Sequence, residues 1–497
     1  MEPAPPDPAP RRRVPRITAQ AVTATFECRR RAWLNEHARS EAAAPGAHLL
    51  MLREHSAAHE KAVAGRFPDR VGPLWRREGS FAEVAAESSR LLRETRQTLY
   101  QAALLSPDGE CSAVPDLLYW EGDRLVLLEV KLALRPETRS DFALMLAHYR
   151  ALLAAGPGIE PVRYEIVNGR GETIVMQPAP REDYEAALRV ARETLERTDE
   201  PDLLLAHSTC RTCAYYRHCW TRAEAEGRIE ILPEVQSRDV PAYHALGVRT
   251  IAQLAELDER RLPRGPVRGA AKRAIQTAAA WRDQRAVWLQ ALRLPQGPLV
   301  WFDLEGDARG EEAETPIYLW GLALDDGRGD AVVETLFAPF TKGGDREAWE
   351  RFVARAIEIL DRHPGVRWVH WDVYETLWIR RYAERCGAPE GFEARLLAAC
   401  FDLKRALDRS VRLPLRSYSI KHVAPWMGFR WRNAESGSEW SVAHFERAGS
   451  TTDPAERERL LADLAEYNAD DLWAMRAVWR WLAANAPDRL DGSPSRP

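Results

Sequence analysis

Lysine is scarce in this chain. Of its 70 basic residues only those at positions 61, 131, 272, 342, 404 and 421 are lysines, and the rest are arginines. Against that preference, a lysine inside an apolar strand is unexpected, because lysine differs from arginine as a compact point charge with a tunable pKa. Positive charge is not in excess either. The net charge of −4 excludes a globally basic nucleic-acid binder, so any such surface has to be local. No apolar run reaches membrane-spanning length and no signal-peptide pattern opens the sequence, which argues against a membrane protein and makes a cytoplasmic location the expectation. A G-x-x-x-x-G-K-[ST] loop is missing, so ATP hydrolysis is not expected. Cysteines number 7 in 497 residues, and in a cytoplasmic protein they read as metal ligands or core residues rather than disulfides. A length of 497 residues predicts two or three domains.

What is present begins with Ala113 to Lys131, AVPDLLYWEGDRLVLLEVK. Pro115-Asp116 opens a strand, Glu121-Gly122-Asp123 turns it, and Leu125 to Val130 is an apolar run of buried-strand length. Glu129 and Lys131 are two apart and share one face. Two carboxylates and a lysine at the end of a hairpin suit a divalent cation held by oxygen ligands, with the lysine fixing a nucleophile or neutralising developing charge. Pro115-Asp116 followed by Glu129-Val130-Lys131 resembles the PD-(D/E)XK nuclease core. That resemblance implies Asp116 and Glu129 as metal ligands and Lys131 as a catalytic residue. Upstream, residues 47–64 have helical spacing, with His55 and His59 one turn apart. RecB-like nucleases carry a helical His-Glu ahead of this core, so the resemblance makes His59, in His59-Glu60, a further metal ligand. Downstream, in the helix read over 141–153, such nucleases place a Gln four residues before a Tyr. This chain keeps Tyr149 and has Met145 at the Gln position.

The second concentrated signal is HSTCRTCAYYRHCW, residues 207–220. Cys210, Cys213 and Cys219 follow C-x2-C-x5-C, a clustering that marks a zinc or iron–sulfur site, and both take four ligands. His207, His218 and the distant Cys28 are the candidates for the fourth. A lone cysteine before the nuclease core and three after it resembles the iron–sulfur RecB-like nucleases, among them the AddB nuclease domain and CRISPR-associated exonucleases. By that resemblance Cys28, Cys210, Cys213 and Cys219 hold a structural [4Fe-4S] cluster. Farther on, Val240 to Leu257 has the form helix, Leu-Gly-Val, helix. It resembles a helix-hairpin-helix, and a basic run from Arg260 to Arg273 follows it.

In the second half, Pro298 to Gly306 is an apolar strand interrupted by Asp303 and Glu305. The two acids face the same side, where they repel each other and are costly to desolvate, and a bound cation resolves that cost. Strands are expected over 317–324, 331–339 and 366–371, helices over 346–361 and after 372, and a long helix over 456–482 carrying Tyr467 and Asp471 on one face. That order suggests a mixed sheet in an α/β domain. Asp303, Glu305, a mid-chain acid and Tyr467-x3-Asp471 resemble the DEDD exonucleases of the RNase H-like superfamily, in the subtype with tyrosine in its last motif. The resemblance implies Asp303, Glu305 and Asp471 as ligands to paired divalent metals and Tyr467 as the residue that orients the attacking water. The middle acid falls on Glu375, in Tyr374-Glu375, ahead of Asp372. Lys421 is a candidate phosphate contact.

The expected fold is α/β throughout. It comprises a disordered tail over 1–16, a restriction-endonuclease-like PD-(D/E)XK domain with its cysteines over 17–225, a helical linker over 226–290, an RNase H-like (DnaQ-type) mixed-sheet domain over 291–485 and a second tail over 486–497. The expected activity is that of a Mg2+- or Mn2+-dependent nuclease, an exonuclease on DNA ends or single strands in repair or processing, with RNA as the other possible substrate and a helicase as a partner. The alternative is a non-catalytic nucleic-acid-binding or helicase-recruiting module with one or both sites degenerate.

Overall fold

The structure, a computed structural model, describes residues 17–205, 210, 212–262, 264–306, 316–327, 331–432 and 437–487. The tail over 1–16, most of that over 486–497, and His207 lie outside the described residues. The chain divides into two compact units, Met1–Leu203 and Leu204–Pro497. Among the described residues no helix is long and apolar enough to cross a membrane.

The first unit opens with helices α1 (Ala19–Glu27) and α2 (Arg29–His37), followed by α3 (Ala47–Ala64) and α4 (Phe81–Glu94). α4 starts where the sequence provides a reciprocal cap. Ser80 accepts from the Glu83 amide while the Glu83 carboxylate accepts from the Ser80 amide. Its Phe81, Val84, Ala85, Leu91 and Leu92 recur at helical spacing and are buried. A five-stranded sheet follows, made of β1 (Leu99–Tyr100), β2 (Leu117–Glu121), β3 (Arg124–Val130), β4 (Arg163–Val167) and β5 (Thr173–Val175), paired in that order. The β2–β3 hairpin runs in register from Leu117 opposite Leu128 to Glu121 opposite Arg124. Gly122 takes the positive φ of 62° that the turn requires. β3 and β4 are parallel, which needs a crossover, and α5 (Ser140–Ala155) supplies it. α5 packs Leu146, Leu152 and Leu153 with Leu118, Leu127 and Ile166 of the sheet in one core, and α6 (Arg181–Glu196) adds Ala191 and Leu195.

The second unit begins with α7 (Tyr216–Ala225), then α8 (Val240–Ala245), α9 (Ile251–Ala255) and α10 (Pro266–Asp283). Gly247, at φ 78°, turns the chain between α8 and α9. The helix, Leu-Gly-Val, helix pattern therefore forms. Beyond it lies a sheet of β6 (Leu299–Gly306), β7 (Ile317–Asp325), β8 (Val332–Phe337), β9 (Arg367–His370) and β10 (Cys400–Asp402) in the spatial order β8-β7-β6-β9-β10. The first three strands are antiparallel, and β6, β9 and β10 are parallel.

β6 lies at the centre and is covered on both faces. Phe302 stacks on Phe352 of α11 (Gly344–Arg362) at 5.2 Å, within an aromatic cluster that includes the fully buried Trp320, Trp349 and Trp368. The alternate residues Trp301, Asp303 and Glu305 face the other way. There Trp301 meets Trp479 of the C-terminal helix α17 (Pro454–Asn485) at 5.8 Å. The remaining helices are α12 (Tyr374–Cys386), α13 (Phe392–Ala399), α14 (Leu403–Ser410), α15 (Ile420–Trp426) and α16 (Ser438–Ser450).

Candidate functional site

Two acidic residues on a central strand, under a long helix that carries a third, form the more complete of two candidate centres. Oxygen atoms of Asp303, Glu305 and Asp471 lie within 4.8 Å of one another. Each carboxylate has one oxygen held by a donor from the chain. Asn468 Nδ2 donates to Asp303 Oδ2 at 2.8 Å, and Ser441 Oγ donates to Glu305 Oε2 at 2.8 Å. Lys421 Nζ (2.6 Å) and Trp431 Nε1 (2.8 Å) both donate to Asp471 Oδ1. These bonds fix the orientation of all three acids and leave each a second oxygen to offer a cation.

Charge repulsion dominates the electrostatics. Burial pushes Asp303 well above the usual carboxylate range, and Asp471, Glu305 and Glu375 push it further. Burial and Asp471 push Glu305 up to about 8, against the Ser441 hydrogen bond and Lys421. Asp471 is raised by burial, opposed by Lys421 and by its two donors. Lys421 is the cation that opposes the rise in all three. Its ammonium also sits 4.3 Å from the ring centres of both Trp431 and Tyr467. The Tyr467 phenol is held far above its ordinary value by burial and by Glu305, Asp471 and Asp303, so it stays a neutral hydroxyl beside the acids.

Glu375, in the first turn of α12, is buried and within electrostatic reach of Asp303. His370 Nδ1 lies 3.4 Å from Glu375 Oε2, close enough to oppose the effect of burial on that acid. Asp372 is committed elsewhere. It has a positive φ of 74°, its Oδ1 accepts from the Val373 amide at 3.0 Å, and it pairs with Lys404. Of the two candidates for the middle acid, Glu375 is the one whose charge acts on Asp303.

Four supporting residues were not singled out in the sequence. Asn468 stands in the long helix already of interest, and Trp431 and Ser441 carry no local signal. Gly321 does carry one, as an isolated glycine within the apolar strand IYLWGLALD. It pairs directly with Asp303 across β6 and β7. A Cβ built on it would come 1.7 Å from Asn468 Oδ1. The missing side chain is what lets Asn468 lie over the strand and reach Asp303.

The first unit assembles its candidate centre on the β2–β3 hairpin. Asp116 Oδ2 accepts from the Val130 amide at 2.8 Å, and Glu129 Oε1 accepts from the Asp116 amide at 3.0 Å, so each acid is tied to the other's strand. Lys131 Nζ bonds Glu129 Oε2 and lies 3.9 Å from Asp116 Oδ2. Burial would pull the Lys131 pKa down, but Glu129 and Asp116 outweigh it, and the ammonium is held above its ordinary value. Burial and Glu129 push Asp116 well up, against Lys131. The Tyr149 phenol, on α5, is raised by burial and by Glu129, to which it is hydrogen-bonded. Met145, one turn earlier, packs into the hydrophobic core. His59 places its Nε2 at 2.8 Å from the Asn168 carbonyl, the outer bond that a histidine ligand makes when its other ring nitrogen takes the metal. Its neighbour Glu60 accepts from Tyr100 Oη at 2.8 Å and Gln101 Nε2 at 2.6 Å, and it adds to the charge felt by Asp116. Among the described residues, this set does not bring three ligand atoms within 4.8 Å of one another.

Cys28, in the first unit, ends α1 and begins α2, and its Sγ accepts from the Arg31 amide at 3.4 Å. In the second unit Cys210 and Cys213 bracket a turn closed by the Cys213 amide on the Cys210 carbonyl at 3.0 Å, and Cys219 rides on α7.

Comparison with known families agrees with this geometry. Residues 12–220 match the family model of the PD-(D/E)XK nuclease superfamily, and residues 300–483 match that of the RNase_H superfamily. No curated protein matches the chain. The chain thus carries one domain of each class, and both classes act on nucleic acid.

Two outcomes follow from the second-unit geometry. Gly321→Ala should displace Asn468 and lower Mn2+ affinity, measured by titration calorimetry, by roughly tenfold or more. In an Asn468→Ala background the same change should add little, and additive losses would refute the interlock. The second outcome concerns pH. Because Glu305 is raised to about 8 in the folded chain, the folded state binds the extra proton between the ordinary carboxylate range and that value, and stability falls as pH rises through this window. Glu305→Gln should therefore raise the metal-free melting temperature relative to wild type more at pH 8 than at pH 5, and an equal difference at both would refute it.

Proposed function

We propose that the protein is a metal-dependent nuclease with two phosphodiester-cleaving centres, acting as an exonuclease on DNA single strands or ends during repair or processing. The observation that carries this reading is the group of half-buried Asp303 with buried Glu305 and Asp471, each with one oxygen fixed by a donor and one left for a cation. Mg2+ or Mn2+ suits this all-oxygen donor set, with Glu375 as the fourth carboxylate, and would activate a water and stabilise the leaving oxygen. The chain's own part is positional. Asn468, Ser441, Trp431 and Lys421 hold the ligands, and the neutral Tyr467 hydroxyl orients the water. In the first unit Asp116 and Glu129, with His59, form the second metal set, and the Lys131 ammonium neutralises charge on the phosphate.

Cys28, Cys210, Cys213 and Cys219 are assigned to a structural [4Fe-4S] cluster. The support is their spacing and the bracketing of the nuclease core by one cysteine before it and three after. A nuclease without a phosphate loop of its own fits a helicase partner that opens the duplex, and RNA is the other substrate to be tested. A second reading, a non-catalytic nucleic-acid-binding or helicase-recruiting module, is favoured at the first centre by one observation: Met145 faces the core and provides no polar group.

Cleavage of end-labelled single- and double-stranded DNA in Mn2+ tests the proposal. Lys131→Ala and Asp303→Asn should each remove a distinct product pattern, and the double variant should be inert. Full activity in both single variants would overturn the assignments. Silence of the wild type on DNA and RNA alike, with retained binding, would favour the module. For the cluster, anaerobically purified protein should contain iron and acid-labile sulfide in equal amounts, and zinc without iron would refute it.

A further inference from the structure

Past Asp471, α17 carries a stripe that catalysis leaves unused. Trp473, Arg476, Arg480 and Ala484 recur at three- and four-residue intervals, so they lie along one face of the helix. With Phe429 and Trp481 they line an open cleft of about 560 Å³. The aromatic rings are only partly covered, and Arg480 is exposed. Arg476 lies 5.5 Å from the Trp473 ring centre and pairs with Asp325 at 3.0 Å. Arg480, and Arg430 beside Phe429, meet no carboxylate among the described residues, and Arg430 bonds only backbone carbonyls. The cleft is joined to the acidic centre through ring contacts. Phe429 packs edge-on against Trp431 at 5.0 Å, and Trp431 is the residue that donates to Asp471.

We propose that this cleft is a single-strand track that feeds or drains the centre at Asp471, with bases stacking on Trp473 and Phe429 and phosphates meeting Arg480. The proposal rests on the nuclease reading for the nature of its ligand. A cleft guanidinium that meets no carboxylate among the described residues, set among partly exposed aromatic rings, suits a chain of flat bases on an anionic backbone, and it disfavours an apolar protein helix, which would leave that charge desolvated. From Trp473 to Ala484 the helix rises about 16 Å, room for about five stacked nucleotides. Stacking tolerates any base, so the track is indifferent to sequence. It contacts faces and phosphates, so DNA and RNA strands share the chemistry.

Fluorescence anisotropy of the full chain in EDTA, which blocks cleavage, tests the track. The probes are oligo(dT), oligo(U) and an abasic backbone of equal length. Trp473→Ala should weaken oligo(dT) binding roughly tenfold while Trp473→Phe keeps most of it. Arg480→Ala should reduce the salt dependence of binding by nearly one released ion. Comparable affinities for oligo(dT) and oligo(U) support a track open to both, and a preference identifies the strand it serves. Equal wild-type affinity for the abasic backbone, or a Trp473→Ala variant of unchanged melting temperature binding within twofold of wild type, would overturn the proposal. So would a dimer in sedimentation that Arg480→Glu dissociates, since the cleft would then be covered by a second copy. Wild type that binds but does not cleave in Mn2+ would defeat the nuclease reading and leave the track supported, so the two failures are distinguishable.

Discussion

Carboxylates that share a buried face repel one another, and much of the second unit is arranged around that repulsion. Asp303 and Glu305 stand on the central strand because strand alternation puts both on the side opposite Phe302. α17 then lowers Asp471 onto the same spot. Nothing in a hydrophobic core would tolerate three such groups unassisted. The surroundings answer with directed donors: an amide from Asn468, a hydroxyl from Ser441, an indole from Trp431 and an ammonium from Lys421. Each donor ties a different segment to the acids, so the charge problem and the packing of α15, α16 and α17 are solved together.

The first unit meets the same difficulty by another route. Asp116 and Glu129 are tied by backbone amides of the hairpin itself, and a cation beside them, Lys131, comes from the end of the same strand. The arrangement is local and therefore compact in sequence. Its outer supports, Tyr149 from α5 and the Tyr100–Glu60–Gln101 group at the start of the sheet, come from farther away. In both units a rare lysine bonds one of the acids, Lys131 on Glu129 and Lys421 on Asp471. An ammonium at the end of a flexible stem can neutralise one oxygen without the fixed fork of a guanidinium.

Much of this was legible in the sequence because the signals are periodic or compositional. The α/β class, the β2–β3 hairpin, the three-strand opening of the second sheet and the long last helix follow from alternation and helical spacing, and the acids stand out as interruptions of apolar runs. The sequence favours Glu375 over Asp372 because Tyr374-Glu375 fills the aromatic-acid slot that the resemblance implies, whereas the pairing of Asp372 with Lys404 shows only in the fold. Other features depend on tertiary approach and leave no pattern in one segment. Ser441 joins Glu305 across a separation of 136 residues, and Asn468 reaches Asp303 across 165. Gly321 was visible as a glycine in a strand, but the side chain that needs its emptiness belongs to another element.

The aromatic core of the second sheet has an optical consequence. Of the 18 tryptophans in the chain, only Trp33, Trp75 and Trp120 precede residue 204, and the fully buried Trp301, Trp320, Trp349 and Trp368 all belong to the second unit. Rings 5–6 Å apart, as in Trp320 and Trp349, exchange excitation readily. Ultraviolet emission from the intact chain is therefore a one-sided signal. It follows chiefly the packing around β6, while the hairpin that carries Lys131 is reported by Trp120 alone, opposite Leu125, so the two halves of this molecule contribute very unequally to it.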